Sequence, residues 1–307
     1  MTISDRARVL FGSAYLILAL SVLPLYCVII SVFLKVRSFR KHSCYWIMSA
    51  LGIYNCLTLI GIAGLGLRTV VGAPFPEMVE KFLFAMHRFC LTGASHMACL
   101  LAFNRFCVLT EWFSAPKIFY ATAITLDYAY ICAQVGMFLT EYASVIYNAE
   151  MLTNYFDEDL PLTTYLDNFD CFLGLGIMTS ALIMYVVIVV VLLLKRFSLT
   201  TIQNRTPIAS REVAILIQSM AEFLFEISLL LNAITLVEFI PRVYWATGSF
   251  VIFCILGAGW MSPMMYLLMN KALRKQVAAI IRRINVMKVS PSNLLFRSQS
   301  TSYAARY

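Results

Sequence analysis

Apolar residues run along this chain in stretches of about twenty, the length that crosses ~30 Å of hydrocarbon as an α-helix. Alternation of apolar and polar residues with a period of two, which marks a membrane β-barrel strand, is absent. The pattern therefore predicts an all-α membrane protein, a bundle of seven transmembrane helices. The spans, numbered one to seven in chain order, are expected at about residues 10–34, 43–66, 82–104, 117–139, 169–194, 213–240 and 245–269.

The composition agrees with a protein that is dissolved in lipid. Hydrophobic residues make up 61% of the 307 residues and charged residues only 13%, whereas a soluble domain is roughly half apolar and a quarter charged. The nine cysteines are scattered through apolar stretches without a C-x-x-C pair, and the three histidines do not cluster. This spacing predicts no metal site, no disulfide framework and no cofactor. No nucleophile and base stand in a catalytic arrangement, so an enzyme is the least expected function.

The distribution of basic residues predicts the orientation in the membrane. Lys and Arg concentrate after span one, after span five and in the C-terminal segment, while the loop at 140–168 holds six acidic residues and no Lys or Arg. Since basic loops stay in the cytoplasm, we expect a multi-pass plasma-membrane protein with an extracellular N-terminus. The net charge of +8 is then mostly cytoplasmic. It suits contact with the lipid bilayer and an intracellular partner, and no nucleic-acid partner is inferred from it.

The segment after span seven is predicted to form an amphipathic helix at about 271–287. Its apolar residues share one stripe and its basic residues lie largely elsewhere, as in helices that lie on cytoplasmic headgroups. Residues 289–307 are polar and rich in Ser, so we expect a disordered cytoplasmic tail. A single seven-transmembrane domain then covers residues 1–288.

A few ionisable residues lie inside the predicted spans, where a charge costs some ~2.5–3.5 kcal/mol. In span three, Arg88, Thr92 and His96 recur at i, i+4 and i+8 and therefore share a helix face. Glu222 and Glu226 form a similar stripe in span six. We expect the two stripes to meet, with Arg88 or His96 beside Glu226. Whether these groups only hold the bundle together or also line a ligand cavity is left open by the spacing.

Two further polar residues stand in apolar surroundings, Asn55 in span two and Asp127 in span four. For Asp127 we favour a protonated carboxyl that is hydrogen-bonded to a neighbouring helix over a proton-transfer site.

Three motifs lie in register along the chain: CYWIMSALG at residues 44–52, LAFNRF at 101–106 and PMMYLLMNK at 263–271. In order and spacing they resemble the Srt class of nematode serpentine chemoreceptors, within the rhodopsin-like G-protein-coupled receptor superfamily. Asn104-Arg105-Phe106 stands where rhodopsin-like receptors carry an acid, Arg and an aromatic residue. Ser262-Pro263-Met264-Met265-Tyr266 stands where they carry Asn-Pro-x-x-Tyr.

The resemblance implies a chemosensory receptor that binds an external small-molecule ligand and signals to a heterotrimeric G protein, with sensory cilia as its place of action. It implies activation roles for Asn104, Arg105, Glu212, Pro263 and Tyr266. Because the usual acid is replaced by Asn104, Glu212 is a candidate partner for Arg105 across the bundle.

The same resemblance bears on the ligand. His87, followed by Arg88, occupies the position at which amine receptors carry an Asp, so an amine ligand is disfavoured and an acidic or hydrogen-bonding one suits better. The candidate ligand cavity comprises His87, Arg88, Thr92, His96, Glu222 and Glu226. The chain also departs from rhodopsin-like receptors in two respects. Residues 140–168 hold no Cys for the usual disulfide, and Asn55 replaces the Asp that helps to hold sodium.

An alternative function is a seven-span transporter or ion channel that uses His96, Asp127, Glu222 and Glu226 as an ion path. Against it, the two halves of the chain show no internal repeat and no Gly/Pro-broken pair of helices. An insect-type odorant channel would have the opposite orientation in the membrane.

Overall fold

The computed structural model describes residues 4–199, 216–217, 219–221, 223–225, 227–228 and 243–289. Most of span six and residues 290–307 lie outside these ranges. Three predicted site residues, Glu212, Glu222 and Glu226, lie outside them as well.

The described chain is mainly helical and follows the order of the predicted spans. The helices are α1 (Asp5–Lys35), α2 (Arg37–Arg40), α3 (Ser43–Val71), α4 (Glu77–Thr110), α5 (Lys117–Phe138), α6 (Pro161–Leu199), α7 (Tyr244–Cys254), α8 (Ser262–Met269) and α9 (Lys271–Val289). Spans one to five are α1, α3, α4, α5 and α6. Span seven consists of α7, a π-helical segment at Ile255–Met261, and α8.

Five of the described helices are long and apolar enough to cross a membrane, namely Asp5–Lys35, Ser43–Val71, Lys117–Phe138, Pro161–Leu194 and Tyr244–Met269. Helix α4, the third span, is not among them because it carries charged side chains along its length. It is nevertheless central, since it packs against α3, α5 and α6. Its intramembrane charges are therefore turned toward other helices, which is where such residues are normally found.

Helix α4 extends beyond the predicted span at both ends. Acidic Glu77 and Glu80 occupy its first turn, where carboxylates favour the positive end of the helix dipole. It ends at Glu111, which adopts a left-handed conformation with φ 61°. The apolar run shows only which residues lie in the hydrocarbon layer. The hydrogen bonding of the helix continues beyond that layer until a residue ends it. The observed helix is therefore longer than the hydrophobic stretch.

Close packing of the second and third spans depends on glycine. A Cβ atom added at Gly61 would lie 2.7 Å from the Leu83 carbonyl oxygen and 2.7 Å from the Cβ of His87. Small residues permit such close approach of helices in membranes. The backbone at Leu83 and His87 is thus held directly against α3.

A two-stranded β-hairpin lies between α5 and α6, within the loop for which the sequence analysis predicted no strand. Strand β1 (Val145–Asn148) pairs antiparallel with β2 (Thr153–Phe156). The signal was present, because VIYN and TNYF contain β-branched and aromatic residues. Four-residue strands are too short to stand out from a polar loop. Leu152 in the turn is fully buried, so the hairpin folds back onto the bundle.

Helix α9 follows span seven after a change of direction at Asn270, which has φ −107° and ψ 92°. Leu273 and Val277 are buried against the helices of the bundle, while Lys271 and Arg274 are exposed. The apolar stripe of this helix therefore packs inward over its first two turns. Its position on cytoplasmic headgroups stays a prediction.

Candidate functional site

The polar side chains of α4 are bonded to neighbouring helices at three successive levels. Nearest the hairpin, Nη2 of Arg88 lies 3.6 Å from Oδ1 of Asp167 in α6. The guanidinium carbon of Arg88 also lies 4.9 Å from the ring centroid of Phe156 in β2. Each side chain of the ion pair is 41% exposed. A pair so exposed adds little to stability. Arg88 or Asp167 can therefore give up this ion pair and bind a ligand group instead.

One helical turn deeper, Thr92 and Asp170 join α4 to α6. The Thr92 hydroxyl donates a hydrogen bond of 2.9 Å to Oδ2 of Asp170, and the Tyr130 hydroxyl of α5 donates one of 3.1 Å to Oδ1. Nε2 of Gln134 in turn donates to the Tyr130 oxygen at 2.9 Å. Asp170 is only 8% exposed, and two hydroxyl donors compensate for the desolvation of its carboxyl group.

At the third level, His96 meets Asp127 of α5. The Nδ1 atom of His96 lies 2.6 Å from Oδ1 of Asp127, and the Tyr54 hydroxyl of α3 donates to Oδ2 at 2.7 Å. The ring of Tyr54 also packs at 4.7 Å, between centroids, on that of Tyr128. Both side chains of the His96 pair are 10% exposed. This level joins α3, α4 and α5 through one carboxyl group.

We call these eight side chains the outer network: Tyr54, Arg88, Thr92, His96, Asp127, Tyr130, Asp167 and Asp170. It contains three carboxyl groups against one guanidinium and one imidazole. Because the carboxyl groups outnumber the cations, hydrogen bonds from the hydroxyls of Tyr54, Thr92 and Tyr130 supply much of the stabilisation of the carboxyl groups. Such a set can recognise a ligand by exchanging hydrogen bonds, and this suits a polar or hydrogen-bonding molecule better than a purely apolar one.

His87 lies beneath the hairpin and is nearly buried. Its side chain hydrogen-bonds to that of Asn154 in β2, and its Cβ faces Gly61. His87 thus faces α3 and the hairpin, whereas Thr92 and His96 face α5 and α6. The structure separates it from Thr92 and His96, whereas Arg88 contacts the same strand, β2, through Phe156.

The hairpin is tied to helices on several sides of the bundle. The Tyr147 hydroxyl donates to Oγ1 of Thr69 at 3.2 Å, and the backbone N–H of Ser144 donates to Oγ1 of Thr163 at 3.1 Å. The Thr247 hydroxyl donates to the carbonyl oxygen of the Met151 backbone at 2.5 Å. These bonds reach α3, α6 and α7. The hairpin is therefore held against three helices, and its Phe156 lies against Arg88 of the outer network. We call the hairpin the lid of this network.

We call the opposite end of α4, which holds the Asn104-Arg105 pair, the inner end. Nδ2 of Asn104 donates a hydrogen bond of 3.0 Å to Oγ of Ser43 in α3, and its side chain also hydrogen-bonds to Tyr120 in α5. Arg105 is 2% exposed. Asn104 thus connects α4 to both flanking helices, a role for which a neutral amide with donor and acceptor is suited.

Tyr266 lies in an aromatic cluster at the same end. Its ring centroid is 5.8 Å from that of Phe33, which lies 5.2 Å from Tyr45, and Phe39 lies 4.8 Å from Tyr45. Nδ2 of Asn270 donates to the Tyr45 hydroxyl at 3.3 Å. The cluster joins spans one, two and seven near Arg105.

Between the two ends, Asn55 connects span two to spans one and seven. Its Nδ2 donates to the Tyr26 hydroxyl at 3.0 Å, and this hydroxyl donates to the Ala258 carbonyl oxygen at 2.6 Å. Ala258 lies in the π-helical segment that precedes Pro263. Because Pro263 has no N–H to donate and the π-segment shifts the backbone pairing, carbonyls here need other donors. Tyr26 supplies one of them.

Sequence reasoning named Arg88, Thr92, His96 and Asp127 of the outer network but neither acidic residue of α6. The partners that the structure gives to Arg88 and Thr92 are Asp167 and Asp170, which the sequence analysis left outside the candidate site. A signal for them exists, since acids at i and i+3 open the apolar run of span five and share one helix face. The expected partner Glu226 lies outside the described residues, and so do Glu222 and Glu212.

In the part of the chain that the structure describes, no group of three or more His, Cys, Asp or Glu side chains is placed to hold a metal ion. All nine cysteines fall within this part, and each is a free thiol.

Comparison with known proteins decides the family. The sequence model of the serpentine type 7TM GPCR chemoreceptor Srt matches residues 1–290. The chain belongs to the Srt chemoreceptor family. It is thus a G-protein-coupled chemosensory receptor, and the resemblance carried by its three motifs is confirmed. No curated protein sequence matches this Srt receptor.

The fold of the Srt receptor is similar to that of squid rhodopsin. The crystal structure of squid rhodopsin aligns with this chain at a TM-score of 0.73 and 11% sequence identity, and the alignment covers 92% of this chain and 88% of the rhodopsin chain. At this identity the likeness shows the fold alone. The prediction of a rhodopsin-like seven-transmembrane helix bundle is confirmed, and family and fold are those of a membrane receptor.

Proposed function

We propose that this Srt receptor sits in the plasma membrane with its N-terminus outside, binds an external small molecule beneath the hairpin, and signals to a cytoplasmic heterotrimeric G protein. The observation that carries the proposal is the arrangement of α4. One helix carries the outer network under the lid and Arg105 at the inner end. With a rise of 1.5 Å per residue, Arg88 and Arg105 are about 25 Å apart along it.

The proposed ligand is a small hydrogen-bonding molecule. Arg88 has Asp167 beside it, so the positive charge that favoured an acidic ligand is already balanced. A ligand carboxylate would have to displace Asp167, whereas a ligand hydroxyl, carbonyl or amide can join the hydroxyl and carboxyl groups around Asp170. The half-exposed Arg88 pair is the entry point for such an exchange.

The proposed signal is a shift between two packings of the bundle. A ligand shifts this equilibrium only if it binds one packing better than the other. Thr92, Tyr130 and Asp170 join α4, α5 and α6 in the packing described above. A ligand that replaces one of these bonds favours a packing in which α6 and α4 have moved apart.

The orientation is inferred from the basic loops and is tested separately. Epitope tags at the N-terminus and the C-terminus, probed with antibody in intact and in permeabilised cells, report which end is outside. Antibody access to the C-terminal tag in intact cells would overturn the orientation. The C-terminal tag imaged in a sensory neuron tests the sensory cilium, where external chemicals reach the membrane, as the place of action.

The function is tested by a ligand panel in heterologous cells that report calcium or cyclic nucleotide. We expect a ligand-evoked signal that requires a G protein and disappears in Arg105→Ala at unchanged surface expression. A ligand-gated current that persists without G proteins would instead identify the channel or transporter alternative.

A further inference from the structure

A cavity of about 270 Å³ opens at the inner end between α3, α4 and α5. Its basic lining side chains are Lys41, His42, Arg105 and Lys117. None of the residues that line it, all of them in the described part of the chain, is Asp or Glu. Lys41 and Lys117 are exposed there, so their positive charges attract an anion to this space.

Two helices begin at the same cavity. Helix α3 begins at Ser43 and α5 at Lys117, and neither start receives a side-chain hydrogen bond from its N-cap residue, His42 or Pro116. The N-terminal turn of a helix presents backbone N–H groups and a partial positive charge. Both helix starts therefore add to the attraction for an anion that the side chains create.

The cavity wall is held in place from behind. Phe39 is buried in the aromatic cluster, which anchors the short segment that carries Lys41. The hydrogen bond from Asn104 to Ser43 fixes α4 against α3 at the floor of the cavity. The site is thus a formed recess rather than a group of free surface lysines.

Exposed apolar side chains surround the cavity. Val108, which lines it, is 48% exposed, and Ile118, next to Lys117, is 72% exposed. Trp112 and Phe113, in the connection between α4 and α5, are 70% and 55% exposed. Aromatic side chains concentrate at the level of lipid headgroups. An anion that carries acyl chains matches this surface better than a soluble one does.

We propose that the cavity binds the phosphorylated headgroup of a lipid in the inner leaflet, with its acyl chains against Val108 and Ile118. The proposal rests on the orientation proposed above. The lining residues come from α3, α4, α5 and their connections, and none comes from α6 or α8. The lipid therefore leaves the side of α4 that faces spans five to seven open to a G protein.

The test uses the full-length receptor in phosphatidylcholine nanodiscs and measures binding of fluorescent phosphatidylinositol bisphosphate. The variant pair is Lys41→Gln with Lys117→Gln, both exposed and so removable without disturbing the core. The control pair, Lys35→Gln with Arg37→Gln, removes two exposed cations of the same end that do not line the cavity. We expect the first pair to weaken binding by roughly thirtyfold, and the control pair to change it little.

Three outcomes would overturn the proposal. Equal losses in the two pairs would indicate general surface attraction, and equal binding of phosphatidylserine would show that the phosphate monoesters are not recognised. Binding of soluble inositol trisphosphate as tight as that of the lipid would remove the role of the acyl chains. The assay contains neither chemosensory ligand nor G protein, so its failure leaves the proposed signalling function untouched.

Discussion

The imidazole of His96 and the carboxyl group of Asp127 join the third and fourth spans at a distance of 2.6 Å between Nδ1 and Oδ1. Both side chains are 10% exposed, and the Tyr54 hydroxyl occupies the other carboxyl oxygen. One group thus satisfies polar atoms from two neighbouring helices. Loss of this carboxyl group leaves His96 and Tyr54 without it as a partner, at a level where the His96 side chain is only 10% exposed.

Removing this carboxyl group is expected to destabilise the receptor. Asp127→Ala leaves His96 and Tyr54 unsatisfied, which should cost about 1–3 kcal/mol for each buried group. Thermal unfolding of the detergent-purified protein, followed with a thiol-reactive dye on its buried cysteines, measures the change. The control is Asp159→Ala, which alters an exposed carboxyl in the connection between α5 and α6. If Asp127→Ala and His96→Ala are additive in the double variant, the two side chains do not interact.

The second prediction concerns two neighbouring ion pairs at the outer end of α4. Oε2 of Glu80 lies 3.3 Å from Nε of Arg68, with the side chains 18% and 13% exposed. It also accepts a hydrogen bond of 3.1 Å from the backbone N–H of Phe75. Glu80→Gln should lower stability by about 1–3 kcal/mol, because a largely buried cation loses its counter-charge.

The matched control is Glu77→Gln, one turn earlier on the same helix. Glu77 pairs with Lys81 at 2.8 Å, but its own side chain is 78% exposed. An exposed pair of this kind contributes about 0–1 kcal/mol. Equal shifts of the melting temperature in the two variants would contradict the difference in burial.

The third prediction tests the close contact between the second and third spans. Gly61→Ala forces a methyl group against the Leu83 carbonyl and His87, so the helices must separate. We expect a loss of about 1–3 kcal/mol and lower surface expression. Gly176→Ala is the control, since nothing lies within 4 Å of a Cβ at that position. Normal expression of Gly61→Ala would show that α3 and α4 tolerate a wider spacing.

The fourth prediction concerns Asn104 and the resting state. Asn104→Asp places a carboxylate next to Arg105 and restores the acid of the rhodopsin-like motif. Because opposite charges on neighbouring side chains attract strongly where water is scarce, we expect the packing described above to gain stability and basal G-protein signalling to fall. Basal signal per receptor at the cell surface is the measurement.

Asn148→Asp provides the control for this charge change. Asn148 lies in the hairpin, and its side-chain oxygen accepts hydrogen bonds from Glu150 N–H and Met151 N–H at 2.8 and 3.1 Å. Aspartate keeps both bonds. A fall in basal signalling equal to that of Asn104→Asp would therefore point to an effect of net charge rather than of Arg105.

The length of the apolar runs predicts the spans because the thickness of the hydrocarbon layer sets that length. The described helices follow the predicted order. Periodicity also places Arg88, Thr92 and His96 along one helix. Their partners were missed for a physical reason. Which residue of α5 or α6 reaches α4 depends on how each helix is rotated about its axis. The spacing of Asp167 and Asp170 places them on one face of α6, but a single sequence does not say which neighbouring helix that face meets.

The π-helical segment and the hairpin escaped prediction for related reasons. A π-turn inserts a residue into the helical pairing without changing composition, so Ile255–Met261 has the pattern of ordinary apolar helix. Strands of four residues depend on contacts made after the chain has folded, such as that of Tyr147 with Thr69. Local sequence preference is weak beside such tertiary contacts.

The lid over the outer network has a consequence for how the receptor is made and handled. Residues 140–168 contain no Cys, and hydrogen bonds from Ser144, Tyr147 and Thr247 hold the hairpin in place. Its assembly therefore requires no oxidative folding step. Reducing agents that open a disulfide-anchored loop leave these attachments intact, which makes the receptor suited to production in hosts with a reducing interior.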